Sequence, residues 1–211
     1  AAPGAHADAV NVELLAFILA DTPTGRLHKA LVDSKKAASI TAMPFNLKDP
    51  GYVVFLANLN KTQSHDEVAK VLVEEVEQLA SKPISAEELA RAKTALLNEF
   101  EKGLSDPVNF GVSLSESIAT GDWRLHFLRR DLIEKATLAD VQKAAQNYLL
   151  ASNRTLGHFV PTEAPVRVSM PQAPDVKQLL ADYKGKQAMA QGEVFDPSPA
   201  NINQRTTRSA L

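Results

Sequence analysis

The sequence of 211 residues contains no cysteine, which excludes disulfides, thiol nucleophiles and cysteine-ligated metal sites. It also carries little net charge. The 23 basic and 25 acidic side chains leave a formal charge of −2, so the charge balance gives no reason to expect nucleic acid or a membrane as a partner. Long hydrophobic runs are absent as well. The most apolar stretch, Val10 to Ala20, contains Asn11 and Glu13 and is far shorter than the about 20 residues that a membrane span needs.

Catalytic motifs are missing too. The five histidines include no pair at i, i+4, the spacing that places two imidazoles on one helix face for zinc. Neither His-Glu-x-x-His nor its inverse, His-x-x-Glu-His, occurs, and there is no Gly-x-Ser-x-Gly turn or glycine-rich phosphate loop. Taken from its residues alone, the chain is predicted to carry no catalytic residue, no metal site and no cofactor.

The strongest pattern that is present predicts an amphipathic helix from Ser85 to Leu104. Ser85 and Glu88 fit a capping box, in which each side chain accepts a hydrogen bond from a free backbone N–H of the first turn. Apolar residues then recur every three or four positions and form one stripe, at Leu89, Ala92, Leu96, Phe100 and Leu104. Such a stripe needs a broad apolar partner.

Similar patterns predict the remaining elements: helices at 8–20, 25–33, 64–79, 106–120, 123–135 and 137–150, and strands at 37–45, 51–59 and 153–160. The turn residues at 46–50 predict a hairpin between the first two strands. The strand at 51–59 is a continuous apolar run, as expected of a strand covered on both faces.

Strands and helices segregate along the chain rather than alternate, which predicts the α+β class. We expect a two-layer sandwich with helices packed on one side of a small, mostly antiparallel sheet. Three strands are few for so many helices, so the sheet is expected to lack its first strand. Six of the 12 prolines follow residue 160, which predicts a lobe at 1–160 and a proline-rich linker at 161–211 with one short helix at 174–183.

The most distinctive short motif is Gly121-Asp122-Trp123-Arg124. It is typical of a helix end followed by a new N-cap and an aromatic anchor. It also fits a loop that presents Trp123 and Arg124, which are residue types enriched at binding hot spots, to a peptide or a neighbouring domain. His158, in the middle of the last predicted strand, is a third candidate for such a contact, and solvent exposure is its alternative.

Three stretches resemble the non-catalytic lobes of the pitrilysin (insulinase-type) zinc metallopeptidase family: HADAVNVELLAFILADTPTGRLHKALVD, ISAEELARAKTALLNEFEK and GDWRLHFLRRDLIEKATLADVQKAAQNYLLASNRTLGHFVPTE. The similarity covers about residues 1–165 and extends to the order and spacing of the elements. It is greatest to bacterial members with two fused halves, where this chain resembles the second lobe of the N-terminal half. The implied fold is that of the mitochondrial-processing-peptidase-like metallohydrolases.

The resemblance implies a fragment of a larger enzyme, in which four similar lobes close around a peptide. In that family, zinc is held in the first lobe by an inverse His-x-x-Glu-His helix and a downstream glutamate. Since none of those residues has a match here, zinc is implied only for the full-length parent. The implied role of this lobe is to form part of the wall of the chamber that encloses the peptide, to pack against the other lobes and to contact substrate peptide away from the scissile bond.

Two alternatives stay open. The chain resembles equally a lobe of a catalytically inactive assembly subunit of the same family, and its residues also allow an independent helical adaptor that binds a partner through Trp123 and Arg124. A lobe that lacks a strand is expected to expose a sheet edge and to pair with a second copy of itself. A periplasmic location is expected from the family resemblance alone.

Overall fold

The structure, a computed structural model, describes residues 1–185 and 196–206. The chain divides into two units, Ala1–Val160 and Pro161–Leu211, and each is described by itself. The first unit contains, in order, α1 Ala7–Ala20, a π-helical turn His28–Asp33, β1 Ser39–Phe45, β2 Tyr52–Asn58, α2 His65–Glu77, α3 Ala86–Leu104, α4 Pro107–Thr120, α5 Leu125–Lys135 and α6 Leu138–Tyr148. This arrangement confirms the α+β class.

Helix α1 is the centre of the first unit. Ten of its 14 residues are buried, because its sequence is apolar on nearly all sides. It packs against β1 on one side and against α3, α5 and α6 on the others. The short turn of π-helix that follows buries Leu31 and His28 beneath β1 and α2.

The two strands form the predicted antiparallel hairpin, with Phe45 opposite Tyr52 next to the turn. Within the described residues the sheet has two strands only. Side chains at Ile40, Ala42 and Phe55 face the helices and join the core, as strand alternation requires. The opposite face points away from the helices.

The capping box predicted for α3 is complete, and α6 begins with a second one. At α3, the Ser85 hydroxyl accepts from the Glu88 N–H, and the Glu88 carboxylate accepts from the Ser85 N–H. Thr137 and Asp140 make the equivalent reciprocal pair at α6. These caps satisfy N–H groups that have no partner inside a helix.

Three sequence predictions are corrected by the structure. The segment predicted as a strand at 153–160 has no strand conformation, because its backbone lies outside the β1–β2 ladder and a strand needs such a partner. β2 was expected to be covered on both faces, but the side chains of Tyr52 and Leu56 are about half exposed. Helix α5 begins at Leu125 rather than at Trp123.

The described part of the second unit holds two short helices, α7 Val176–Leu180 and α8 Pro199–Arg205. The sequence predicted one helix at 174–183 and overlooked α8, although Ser198-Pro199 is an N-cap followed by a first-turn proline. The assignment of 161–211 as a linker stays a prediction. No helix among the described residues is long and apolar enough to cross a bilayer.

Candidate interaction surface

The motif Gly121-Asp122-Trp123-Arg124 forms the junction between α4 and α5. Gly121 ends α4 with a φ of 150°, a conformation that favours glycine, and its N–H donates to the carbonyls of Ser117 and Ile118. The Asp122 carboxylate accepts from the backbone N–H of Arg124 at 2.8 Å instead of capping a helix at Trp123. The turn therefore delays α5 by two residues relative to the sequence prediction.

The Arg124 side chain is held by hydrogen bonds within this turn. Its guanidinium donates to both oxygens of Asp122, at 2.8 and 2.6 Å. The side-chain hydrogen bond from Arg124 lowers the pKa of Asp122 to about 2, with a further contribution from the Arg124 backbone N–H. The pair is exposed to solvent, so it orients the arginine without adding much stability.

Trp123 lies at the edge of an aromatic cluster. Its ring is 51% exposed and meets the Phe127 ring edge-on, with centroids 5.9 Å apart and planes at 88°. Behind it, the Phe100 ring of α3 packs against the His126 ring at 4.8 Å with a tilt of 31°. Phe110 of α4 meets the His126 and Phe127 rings of α5 at 5.7 and 6.4 Å. These edge-to-face and offset contacts hold the three helices together.

The cluster also has a cationic side. The Arg130 guanidinium lies over the Phe100 ring, 5.5 Å from its centroid. Partial burial, together with the positive charges of Arg129 and Arg130, lowers the pKa of His126 below its usual value. His126 is therefore neutral at physiological pH and acts as a packing residue.

His158 lies elsewhere, beside the start of α2. Its ring faces the ring of His65 at a centroid distance of 6.1 Å and an interplanar angle of 25°. The structure thus brings Trp123 and Arg124 together at one junction, and places His158 at a different element. The role of all three in binding stays a prediction.

The described residues do not fit a zinc ion. No group of three or more histidine, aspartate or glutamate side chains converges anywhere in the described ranges. The most enclosed histidine, His28, has Thr22 Oγ1 3.3 Å from Nδ1 and Asp33 Oδ1 3.5 Å from Nε2. One carboxylate and one hydroxyl around a single imidazole are too few ligands for a zinc site.

Two ion pairs join separate elements of the first unit. The guanidinium of Arg129 in α5 donates two hydrogen bonds to the Glu13 carboxylate of α1, and the one from Nε measures 2.8 Å. The guanidinium of Arg26 likewise donates two hydrogen bonds to the Glu88 carboxylate, each of 2.7 Å. The hydrogen bond from Arg26 is the largest influence that lowers the pKa of Glu88 to about 2. Both pairs are largely shielded from solvent and therefore help to fix the scaffold.

The exposed apolar side of α4 was not predicted from the sequence. This helix buries no residue completely, and Val108, Val112 and Ile118 lie on its outer side, with Val108 exposed to 75%. We call these three residues the α4 face. The sequence of α4 contains one charged residue, Glu116. A helix side that meets water usually carries more charged residues, so this scarcity could have indicated the exposed apolar side.

A second uncovered apolar surface lies on the sheet. Met43 and Phe45 of β1 and Tyr52 and Leu56 of β2 point away from the helices, and the Phe45 and Tyr52 rings stack at 4.7 Å. We call these four residues the outer sheet face. Groups of exposed apolar side chains are typical of interaction sites.

Comparison with known proteins identifies the type of chain that shares this geometry. The family model of the inactive domain of peptidase M16 matches residues 2–96. A protein of Bordetella pertussis Tohama I, predicted to be a zinc protease, is 45% identical over 75% of this chain and 88% of its own, with a TM-score of 0.69. The inactive peptidase domain of such a protein from Bordetella parapertussis is 44% identical over 81% of this chain and 91% of its own, with a TM-score of 0.71.

A protease of Helicobacter pylori shares the fold at a TM-score of 0.67 with 20% identity, and this chain aligns with 37% of its length. No curated protein matches this chain.

Proposed function

This chain belongs to the M16 (pitrilysin-type) peptidase family as an inactive domain, and from that premise we propose that it is the second, non-catalytic lobe of a zinc-dependent metalloendopeptidase. In this role it packs against the other lobes, forms part of the wall of the peptide chamber and contacts substrate away from the scissile bond. The zinc and the chemistry belong to another lobe of the parent.

One observation carries this proposal: two apolar surfaces are left uncovered on a chain that is similar to inactive peptidase domains. The α4 face and the outer sheet face expose aliphatic and aromatic side chains that water does not favour. The first unit has a buried core around α1, and neither surface belongs to it. Packing against neighbouring lobes accounts for them.

Association with the rest of the parent peptidase tests the role directly. We expect a chain that carries the other lobes to bind the 211-residue chain in a pull-down, and Val112→Asp to reduce that binding at least tenfold, because a buried carboxylate without a partner costs several kcal/mol. Glu116→Asp, on the same helix, is the matched control and should bind like the wild type. Full binding by Val112→Asp would contradict a lobe contact at the α4 face.

The absence of catalysis by the chain itself is tested separately. We expect the purified chain to hold no stoichiometric zinc by atomic absorption and to leave a fluorogenic peptide library uncleaved. Peptide cleavage that a chelator abolishes, by this chain alone, would overturn the non-catalytic role.

The alternatives predict different results. If the chain belongs to a catalytically inactive assembly subunit, the assembled parent will bind the chain but will cleave no peptide. If it is an independent adaptor, it will bind a partner without the other lobes and lose that binding in Trp123→Ala. Pairing of two copies through the free edge of β1 predicts a concentration-dependent dimer in sedimentation velocity.

We also propose a periplasmic location, because it is the family's usual compartment. Fractionation of cells that produce the full-length parent tests it, and recovery of the parent in the cytoplasmic fraction would contradict it.

A further inference from the structure

The segment 161–175 opens the second unit and is rich in proline, with Pro161, Pro165, Pro171 and Pro174. Proline fixes its own φ and has no N–H to donate, which disfavours both helices and strands. The segment accordingly contains no helix or strand, and from residue 165 to residue 175 it makes no turn or bend either. We call it the proline segment. Its backbone stays extended, as is typical of such sequences.

Arg167 is the only basic residue of the proline segment. Its side chain is exposed, and it forms no ion pair with any residue that the structure describes. Val166 and Val168, on either side of it, are exposed to 104% and 83%. Both the guanidinium and the backbone around it are therefore open to another protein.

The arginines of the first unit have different surroundings. Five of the six form an ion pair with a carboxylate, namely Arg26, Arg124, Arg129, Arg130 and Arg154. The sixth, Arg91, lies inside α3. Since an endopeptidase accepts its substrate as an extended segment, a helical or ion-paired arginine must first be released by local unfolding. Arg167 needs no such step.

From this contrast we infer that the proline segment is a processing site, at which an arginine-specific endopeptidase hydrolyses the bond between Arg167 and Val168. Water adds its hydroxyl to the carbonyl carbon of Arg167 and its proton to the departing nitrogen of Val168, and the C–N bond breaks. A carboxylate in the specificity pocket of such an enzyme accepts two hydrogen bonds from the planar guanidinium. Val166 and Val168 present aliphatic side chains to the neighbouring subsites.

The cut removes nothing from the core of the first unit. The buried core runs from Val10 to Ala145, whereas residues 161–185 are all exposed. Residues 1–167 should therefore stay folded after cleavage. The inference does not depend on the proposed lobe role, because a cut beyond the first unit is compatible with any role of that unit.

The first test uses the full 211-residue chain and an arginine-specific endopeptidase under native conditions. Intact-mass spectrometry follows the products with time. We expect a fragment of residues 1–167 to appear before any cut within residues 1–160, because cleavage there waits for local unfolding. The isolated fragment should unfold at the same urea midpoint as the uncut chain, and a lower midpoint would contradict its independence of the second unit.

Variants locate the bond that is cut. Arg167→Gln removes the arginine that the pocket binds and should slow the release of the first unit at least tenfold. Arg154→Gln is the matched control, because it removes the preceding arginine of the chain, and it should change the rate less than twofold. Circular dichroism confirms that both variants are folded.

Cells that produce the full-length parent test whether the site is used. Free amines are labelled chemically before digestion, so that a chain beginning at Val168 carries the label at its N-terminus. We expect mass spectrometry to find this labelled N-terminus in the wild-type parent and to lose it in Arg167→Gln.

Three results would overturn the inference. A first cut within residues 1–160 would show that the proline segment is not the most accessible part of the chain. Equal release of the first unit from the wild type and from Arg167→Gln would assign the cleavage to another bond. A parent without the labelled N-terminus at Val168 would mean that the segment is exposed but not processed.

Discussion

Helices α3 and α4 follow each other along the chain, and both are amphipathic and capped at their N-termini, yet their apolar sides meet different surroundings. α3 buries its stripe completely at four positions, including Leu96 and Phe100, against α1 and α5. α4 buries no residue completely, although it contacts α3 and α5. A helical pattern in the sequence therefore shows which side of a helix is apolar, but not whether that side is buried within the same chain.

The two helices also differ in charge. α3 carries seven charged residues, among them Glu87 and Arg91, as expected of a helix that meets water on one side. α4 has Glu116 alone. The outer side of α4 is therefore less suited to water than that of α3, and four experiments test this contrast.

The largest effect is expected from the core of α3. Phe100→Ala should lower the free energy of unfolding by about 3–5 kcal/mol, because it removes a 4% exposed ring from the aromatic cluster and leaves a cavity. Val108→Ala on the α4 face should change it by less than about 0.5 kcal/mol. Urea unfolding of both variants measures the difference, and a cost at Val108 close to that at Phe100 would mean that α4 is part of the core.

The next effect is a pH dependence at the start of α3. The hydrogen bond from Arg26 holds the pKa of Glu88 at about 2, below its unfolded value, so the ionised carboxylate stabilises the fold above about pH 5. This stabilisation is lost as pH falls toward 2. Relative to Glu88→Gln, the wild type should lose about 2–3 kcal/mol of unfolding free energy between pH 6 and pH 2. Parallel pH curves for the two proteins would contradict the assigned pair.

The helix caps should show a smaller difference. Ser85→Ala removes half of the α3 capping box and should cost about 1 kcal/mol of unfolding free energy. Asp106→Ala removes the carboxylate that accepts from Val108 and Asn109, but α4 contributes less to the core. We expect Asp106→Ala to lower the free energy of unfolding by at most half as much as Ser85→Ala does. Faster amide hydrogen exchange should be confined to α4. An equal global cost would show that both helices unfold as one unit.

The smallest effect on stability is expected on the α4 face itself. Val112→Asp should leave the urea midpoint of the isolated chain nearly unchanged, because the side chain is exposed. The same change is expected to reduce association with the other lobes. A large loss of stability in the isolated chain would remove the reason to treat the α4 face as an interface.

Much of the local structure could be predicted because its causes are local. The helix at Ser85 and its capping box depend on residues within one turn, and the hairpin at 46–50 depends on its turn residues. The prediction at 153–160 failed because strand formation depends on a partner edge that a single sequence does not specify. The candidate site was predicted only as far as Trp123 and Arg124, which lie next to each other in sequence.

The two uncovered surfaces could not be predicted, and neither could the contacts between remote segments. Ala16, Ile40 and Leu96 line one cleft although they are far apart in sequence, because α1 packs against both β1 and α3. The exposure of Tyr52 and Leu56 likewise depends on whether a second layer covers the sheet. No periodicity in the sequence contains that information.

By itself, the sequence determined the helices, their caps, the hairpin and the α+β class, and its motifs pointed to the peptidase family. These follow from interactions between residues that are close along the chain. Only the packing of remote segments settled which apolar residues lie under neighbouring elements and which face outward. Those properties depend on distances between remote segments, and such distances are set by how α1 packs against all of them.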